Sequence, residues 1–231
     1  ALGQPTSIVS ACADREIAMR IAGAFSNSCM RVYTNDDVLG VELCGAMKNI
    51  MALASGVALG LGYGDNTKAA LITRGMAEIV RLGLAMGCSE QTFYGLAGIG
   101  DLIVTATSMH SRNNRCGMLL GQGKSPEEAI REVGMVVEGI NALPAVMALK
   151  AKYQVEMPIV DAVDAVVNRG ANPKDTVAML MGMKALPGNP IGAYVTTMLV
   201  IEIVQLYAGI TKLDILLIPL GTLLLAFGGI F

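Results

Sequence analysis

The sequence predicts a mainly α fold: an all-helical domain preceded by a strand-helix-strand segment. Three observations predict it. Strand-like apolar runs are confined to the first 35 residues. From Asp37 onward the apolar spacing is helical, and capping residues punctuate it. After Pro187-Gly188-Asn189-Pro190 the composition turns abruptly apolar, which sets residues 189–231 apart. The expected division is 1–37, 38–188 and 189–231.

Thr6 to Ala13 is a short apolar run suited to a buried strand, Arg15 to Phe25 has helical spacing, and Met30 to Thr34 reads as a second strand. A helix is expected over Val38 to Leu59, capped by Asp36 or Asp37. A second starts after Asn66 and closes at Gly87, where glycine takes the left-handed conformation. Ser125-Pro126-Glu127-Glu128 is a capping box with proline at the first helical position, and Gly134 ends that helix. Asn172-Pro173-Lys174-Asp175 repeats the logic. Between these two starts, Glu138 to Tyr153 and Pro158 to Arg169 read as helices.

Residues 191–210 and 215–231 are apolar, with Glu202 their only charge and Lys212 and Asp214 between them. Each is near the length of a membrane span, and together they suit a hairpin. Buried helices or an unrelated fused segment suit the composition equally, and Glu202 and Gln205 are costly at bilayer depth. Ala1-Leu2-Gly3-Gln4-Pro5 carries neither initiator Met nor signal core and reads as the interior of a longer protein.

Composition narrows the function classes. Seventeen basic residues against 19 acidic ones leave a formal charge of -2, so no basic surplus argues for a nucleic-acid partner. Mean hydropathy is +0.55, and the excess lies largely in the apolar C-terminal residues. Cys12, Cys29, Cys44, Cys88 and Cys116 form no C-x-x-C pair and read as reduced, buried thiols in a cytoplasmic setting. With one histidine, His110, and no Cys/His grouping, no metal is expected.

Two features carry chemistry. Lys48 has Cys44, Gly45, Met51 and Ala52 as its helical neighbours at i-4, i-3, i+3 and i+4, all small or apolar. Desolvation on such a face disfavours the charged form, which suits a general acid or base; a lysine reaching out to the helix rim fits the same pattern. The second feature is Gly95 to Thr105 followed by Ser108 to Arg115. If the run after Gly100 is helical, Asp101 and Thr105 share a face and present a carboxylate and a hydroxyl together. Ser111, Arg112, Asn113 and Arg115 then gather the donors that grip a phosphate. A polar loop with solvated charges is the alternative.

Other features read as scaffold. Neither Gly98-Ile99-Gly100 nor Gly60-Leu61-Gly62-Tyr63-Gly64 completes a G-x-G-x-x-G fingerprint after a strand. Gly64 to Gly75 opens a helix whose free amides favour anions, or simply forms a capped helix with Arg74 paired to Glu78 at i+4. His110 reads as a loop residue, and Tyr33, Tyr63 and Tyr94 as packing residues with a polar tip.

Four stretches together resemble a known family: R-V-Y-T-N-D-D-V-L-G-V-E-L-C-G-A-M-K-N-I, G-D-N-T-K-A-A-L-I-T-R-G, G-L-A-G-I-G-D-L-I-V-T, and S-R-N-N-R with V-V-E-G-I after it. In this order they resemble the C-terminal half of bacterial-type NAD(P)-dependent glycerol-3-phosphate dehydrogenase, over about Leu2 to Leu186. The resemblance implies a substrate domain like the C-terminal domain of 6-phosphogluconate dehydrogenase, behind the remnant of a Rossmann cofactor domain. It implies hydride transfer between sn-glycerol 3-phosphate and NAD or NADP, giving dihydroxyacetone phosphate for phospholipid synthesis. By position it implies Lys48 as the proton-transferring residue, with Asp101, Thr105, Ser111, Arg112 and Asn113 on the substrate and Arg112 and Glu138 on the cofactor. Two departures accompany it: only the last piece of a cofactor domain is present, and the family ordinarily stops soon after the position of Lys184. A homodimer, and membrane contact through residues 191–231, are left open.

Overall fold

Thr6–Ala11 (β1) and Met30–Asn35 (β2) pair in parallel, in register from Thr6 opposite Met30 to Ala11 opposite Asn35. Parallel neighbours cannot be joined by a tight turn, and Arg15–Phe25 (α1) supplies the crossover. The structure, a computed structural model, describes residues 3–182; the apolar segments at 191–210 and 215–231 lie outside the described residues. All the elements named here belong to one unit, Ala1–Met181.

The body is helical: Val38–Gly60 (α2), Asp65–Ala85 (α3), Glu90–Phe93 (α4), Asp101–Thr107 (α5), Arg112–Gly121 (α6), Pro126–Val133 (α7), Glu138–Tyr153 (α8), Pro158–Asn168 (α9) and Pro173–Leu180 (α10). A single π-helical turn, Leu96–Gly100, leads into α5. The fold is mainly α with a short two-stranded sheet at the N-terminal end, as the sequence predicts. The local signals hold as well. Asp37 caps α2 through the N–H of Gly40 at 2.9 Å, the Ser125–Glu128 capping box is complete, and Gly134 closes α7 at φ 69°. The second long helix starts at Asp65, earlier than expected, and ends before Gly87, which stands at φ 85°.

The central element is α2, with 14 of its residues buried. Among the described residues it alone is long and apolar enough to cross a membrane, yet its surroundings make it a core helix. Its tightest contact is with α6. A Cβ on Gly117 would stand 2.1 Å from the Leu53 carbonyl oxygen, and one on Gly60 would stand 2.1 Å from that of Met118. Only hydrogen side chains let these two backbones approach so closely. The glycines at 56, 60, 117 and 121 form two small-xxx-small rows that meet, so Gly60 serves helix packing rather than a phosphate loop.

Of the helix starts that have no local side-chain cap, two borrow one from far along the chain. Val137 precedes α8 and Met157 precedes α9, and neither side chain accepts a hydrogen bond. The N–H of Gly139 is taken instead by Asn113 Oδ1 at 2.8 Å, and those of Ile159 and Val160 by Glu78 at 2.7 and 3.3 Å. The expected Arg74–Glu78 pair therefore does not form. Glu78 points inward and is 2% exposed, whereas Arg74 donates to the Leu180 carbonyl and Arg81 to that of Glu156. Burial is the main influence on Glu78, pushing its carboxyl up to about 6 against the opposing pull of the two amides and the nearby arginines.

Candidate active site

Lys48 lies midway along α2, and the start of α5 comes up beside it. The π-helical turn sets that start: a Cβ on Gly98 would stand 2.0 Å from the Phe93 carbonyl oxygen, so glycine is required for the chain to fold back there. Asp101, the first residue of α5, then forms an ion pair with the Lys48 ammonium. Its other oxygen accepts the Thr105 hydroxyl at 3.2 Å, which is the i, i+4 relation expected from the sequence. Side-chain exposure is 23% for Lys48 and 39% for Asp101, so the pair faces outward rather than being sealed in. Lys48 is thus neither an isolated desolvated amine nor a residue stretched to the rim. It has a partner and retains ammonium N–H donors beyond the one spent on Asp101.

One residue further along α2, a second network begins that sequence reasoning missed. Asn49 is 7% exposed; its amide donates to the Gly45 carbonyl at 3.1 Å and to Glu138 Oε2 at 3.2 Å. Its oxygen accepts Asn113 Nδ2 at 2.9 Å, and Asn113 is 5% exposed. Asn113 in turn caps α8 through Gly139, which fixes Glu138 at the first position of that helix. Glu138 Oε1 accepts Arg112 Nη2 at 3.2 Å. Asn49, Asn113, the Gly139 N–H and the Glu138 carboxylate therefore close a ring, with Arg112 attached to it. The only sequence signal for Asn49 was its place next to Lys48; its partners lie 64 and 89 residues away.

Ser111 caps α6, its oxygen accepting the Asn114 N–H at 3.3 Å, which leaves the hydroxyl hydrogen to donate. Lys48, Asp101 and Thr105 form one bonded group, and Arg112, Asn113 and Glu138 form another. Asn49 joins the second group to the helix that carries the first. Ser111 and Arg115 bond directly to neither; Arg115 is exposed and His110 sits in the exposed loop before α6. Tyr63 packs against the core, while Tyr94 is 61% exposed and Tyr33 is 42% exposed, under the Arg31 guanidinium at 5.3 Å. These last two are surface residues rather than packing residues.

The cysteines are free thiols, and Cys44, Cys88 and Cys116 are buried, whereas Cys12 and Cys29 are half-buried. Burial first, then the negative charges of Asp37 and Asp101, push Cys44 up to about 12; burial alone takes Cys116 to about 11. Both stay protonated at neutral pH, so neither serves as a nucleophile.

A sequence family described as NAD-dependent glycerol-3-phosphate dehydrogenase C-terminus matches residues 37–178. The chain belongs to this family. Relatives include glycerol-3-phosphate dehydrogenase [NAD(P)+] 2 of Lactobacillus delbrueckii subsp. bulgaricus, 68% identical over 77% of this chain and 52% of that protein. Glycerol-3-phosphate dehydrogenase [NAD(P)+] of Clostridium perfringens is 56% identical over 78% of this chain and 54% of its own length. The chain spans about half the length of the curated relatives it matches. Among solved structures, glycerol-3-phosphate dehydrogenase of Coxiella burnetii superposes with a TM-score of 0.75 at 39% identity, over 78% of this chain and 55% of that one. The yeast enzyme GPD1 gives 0.68 at 26% identity, over 76% and 55%.

The family's name raises the question of where a nicotinamide cofactor would sit. A helix N-terminus after a parallel strand is the usual cradle for its pyrophosphate. Here two of the free amides at the start of α1 are already taken, since Asp14 Oδ1 accepts from Glu16 and Ile17 at 2.9 and 3.2 Å. A carboxylate in that place repels a phosphate. Arg112 and Glu138 keep part-exposed side chains, and the start of α1 offers no cradle for the phosphates of such a cofactor.

Proposed function

We propose that this chain is the substrate-binding, proton-transferring half of an NAD(P)-dependent glycerol-3-phosphate dehydrogenase, acting on sn-glycerol 3-phosphate and dihydroxyacetone phosphate in the cytoplasm. The observation that carries this reading is the bonded group Lys48–Asp101–Thr105, one residue along α2 from the ring that holds Arg112 and Asn113. The division at 37/38 and 188/189 follows the same reading, with the cofactor's phosphates held outside the described residues. When bound, the nicotinamide supplies or accepts the hydride at C2.

The residues of this chain do the rest. In reduction, the Lys48 ammonium donates a proton to the C2 oxygen as charge develops there; in oxidation the amine takes it back. Asp101 orients the lysine, and Thr105, whose hydroxyl hydrogen points at Asp101, keeps an oxygen lone pair for a substrate hydroxyl. The Ser111 hydroxyl, the unspent guanidinium donors of Arg112 and the second amide hydrogen of Asn113 grip the phosphate. Phosphate anchoring converts binding into reaction geometry at C2. Ligand contacts by Arg112 and Glu138 at the cofactor's edge complete the assignment.

Complementation tests the reading. Mixed with a separately produced dinucleotide-binding domain of a relative and with NADH or NADPH as hydride donor, the chain should reduce dihydroxyacetone phosphate, and Lys48→Ala should lower that rate about 10²- to 10⁴-fold. Full activity in Lys48→Ala removes the assignment. The apolar composition of residues 191–231 supports a second reading, in which the tail tethers the helical module to a membrane. Fractionation of the chain with and without residues 189–231 decides it, and sedimentation decides the homodimer.

A further inference from the structure

The network around Glu138 has a use that phosphate gripping alone does not explain. Arg112 meets Glu138 through a single nitrogen at 3.2 Å, and the side chains are 34% and 53% exposed. A carboxylate is a poorer match to a guanidinium than a phosphate dianion in charge, though it offers the same kind of acceptor oxygen. Glu138 is also not a mobile surface acid. Asn49 holds its second oxygen, and the Asn113 cap on Gly139 fixes the backbone beneath it. A buried amide ring therefore keeps an anion at one place, within reach of the arginine expected to bind the substrate's phosphate.

We propose that Glu138 is a built-in surrogate anion: it holds Arg112 in place in the absence of ligand, and a phosphate ligand must displace it. This rests on the reading of Arg112 as a phosphate anchor. The arrangement trades affinity for order. Ligands with a weaker anion than phosphate compete poorly with Glu138. Glu138 is thus a positioning and specificity-determining residue acting through Arg112. Glu138→Gln keeps an oxygen for Asn49 but turns the other arm into a donor facing a donor.

The test uses the full chain with inorganic phosphate and glycerol 3-phosphate as probes, read by calorimetry, together with nitrogen-15 NMR of the arginine side chains. Arg112→Ala should lose phosphate binding. If it binds as the wild type does, the anchor reading fails, and the proposal with it. Glu138→Gln should tighten both probes about 1.5- to 5-fold, the size of an exposed ion pair. Its Arg112 resonances should be those of a freely rotating guanidinium until phosphate is added, whereas in the wild type they are restrained throughout. Loss of phosphate binding in Arg112→Ala with unchanged affinity in Glu138→Gln overturns the surrogate role alone. Tightening without restraint of Arg112 in the ligand-free wild type also overturns it, because removal of a negative charge then explains the gain. A Glu138→Asp variant, whose shorter carboxylate falls short of Arg112, should free the guanidinium without altering net charge; if its Arg112 stays restrained, the proposal is wrong.

Discussion

Replacing Asn113 by alanine should destabilise the fold well beyond the loss of one surface amide. Two partners are orphaned at once. The Gly139 N–H at the start of α8 loses its acceptor, Asn113 Oδ1, and loss of a helix cap costs about 0.5–2 kcal/mol. Asn49 Oδ1, in a residue 7% exposed, loses the donor at 2.9 Å, and an unsatisfied buried acceptor costs about 1–3 kcal/mol. Both penalties belong to one network and need not add, so about 2–4 kcal/mol is expected. In a domain of this size that lowers Tm by roughly 4–16 °C. Urea and thermal unfolding measure the total, and amide hydrogen exchange at Gly139 reports the cap itself. A change below about 0.5 kcal/mol with unaltered exchange at Gly139 would refute the claim that Asn113 caps α8.

Glu78 makes stability depend on pH in a direction opposite to most carboxylates. Its folded value, about 6, lies above its ordinary 4.5, so the native state binds the proton more readily between those limits. Stability should fall by about 2 kcal/mol as pH rises from about 4.5 to about 6, and Glu78→Gln should remove that slope; identical pH profiles for the two proteins count against it. Gly117→Ala should cost about 3 kcal/mol or more, because the methyl meets the Leu53 carbonyl oxygen and forces α6 from α2. Unfolding in urea checks this, and a cost under about 1 kcal/mol means the helices separate more easily than the contact implies.

Local signals made much of this fold legible. Ser125, Pro126 and Glu128 sit within four residues of one another, so the chemistry that starts α7 is complete in the sequence, as is that of Asn172 for α10. The starts of α8 and α9 were placed from apolar spacing and Pro158, but their caps were invisible. Asn113 and Glu78 come from 26 and 81 residues away, and only the tertiary fold brings them there. The same distance hides the role of Glu78: Arg74, four residues earlier, is the local partner, yet two backbone amides in the core outcompete it. In the candidate site, Asp101 and Thr105 were legible because their relation is helical. Lys48–Asp101 spans 53 residues, and no local spacing relates the two. Asn49 carries no such signal, because its partners Asn113 and Glu138 lie 64 and 89 residues away.

Arg112, Asn113 and Ser111 are assigned to anchor the phosphate while Lys48 faces the oxygen on C2. Titration calorimetry of the full chain with glycerol 3-phosphate and with glycerol tests this assignment most directly. Saturable binding of glycerol 3-phosphate, none of glycerol, and loss of the former in Arg112→Ala is the result the account predicts. Equal binding of the two compounds, or glycerol 3-phosphate binding that Arg112→Ala leaves untouched, would contradict it.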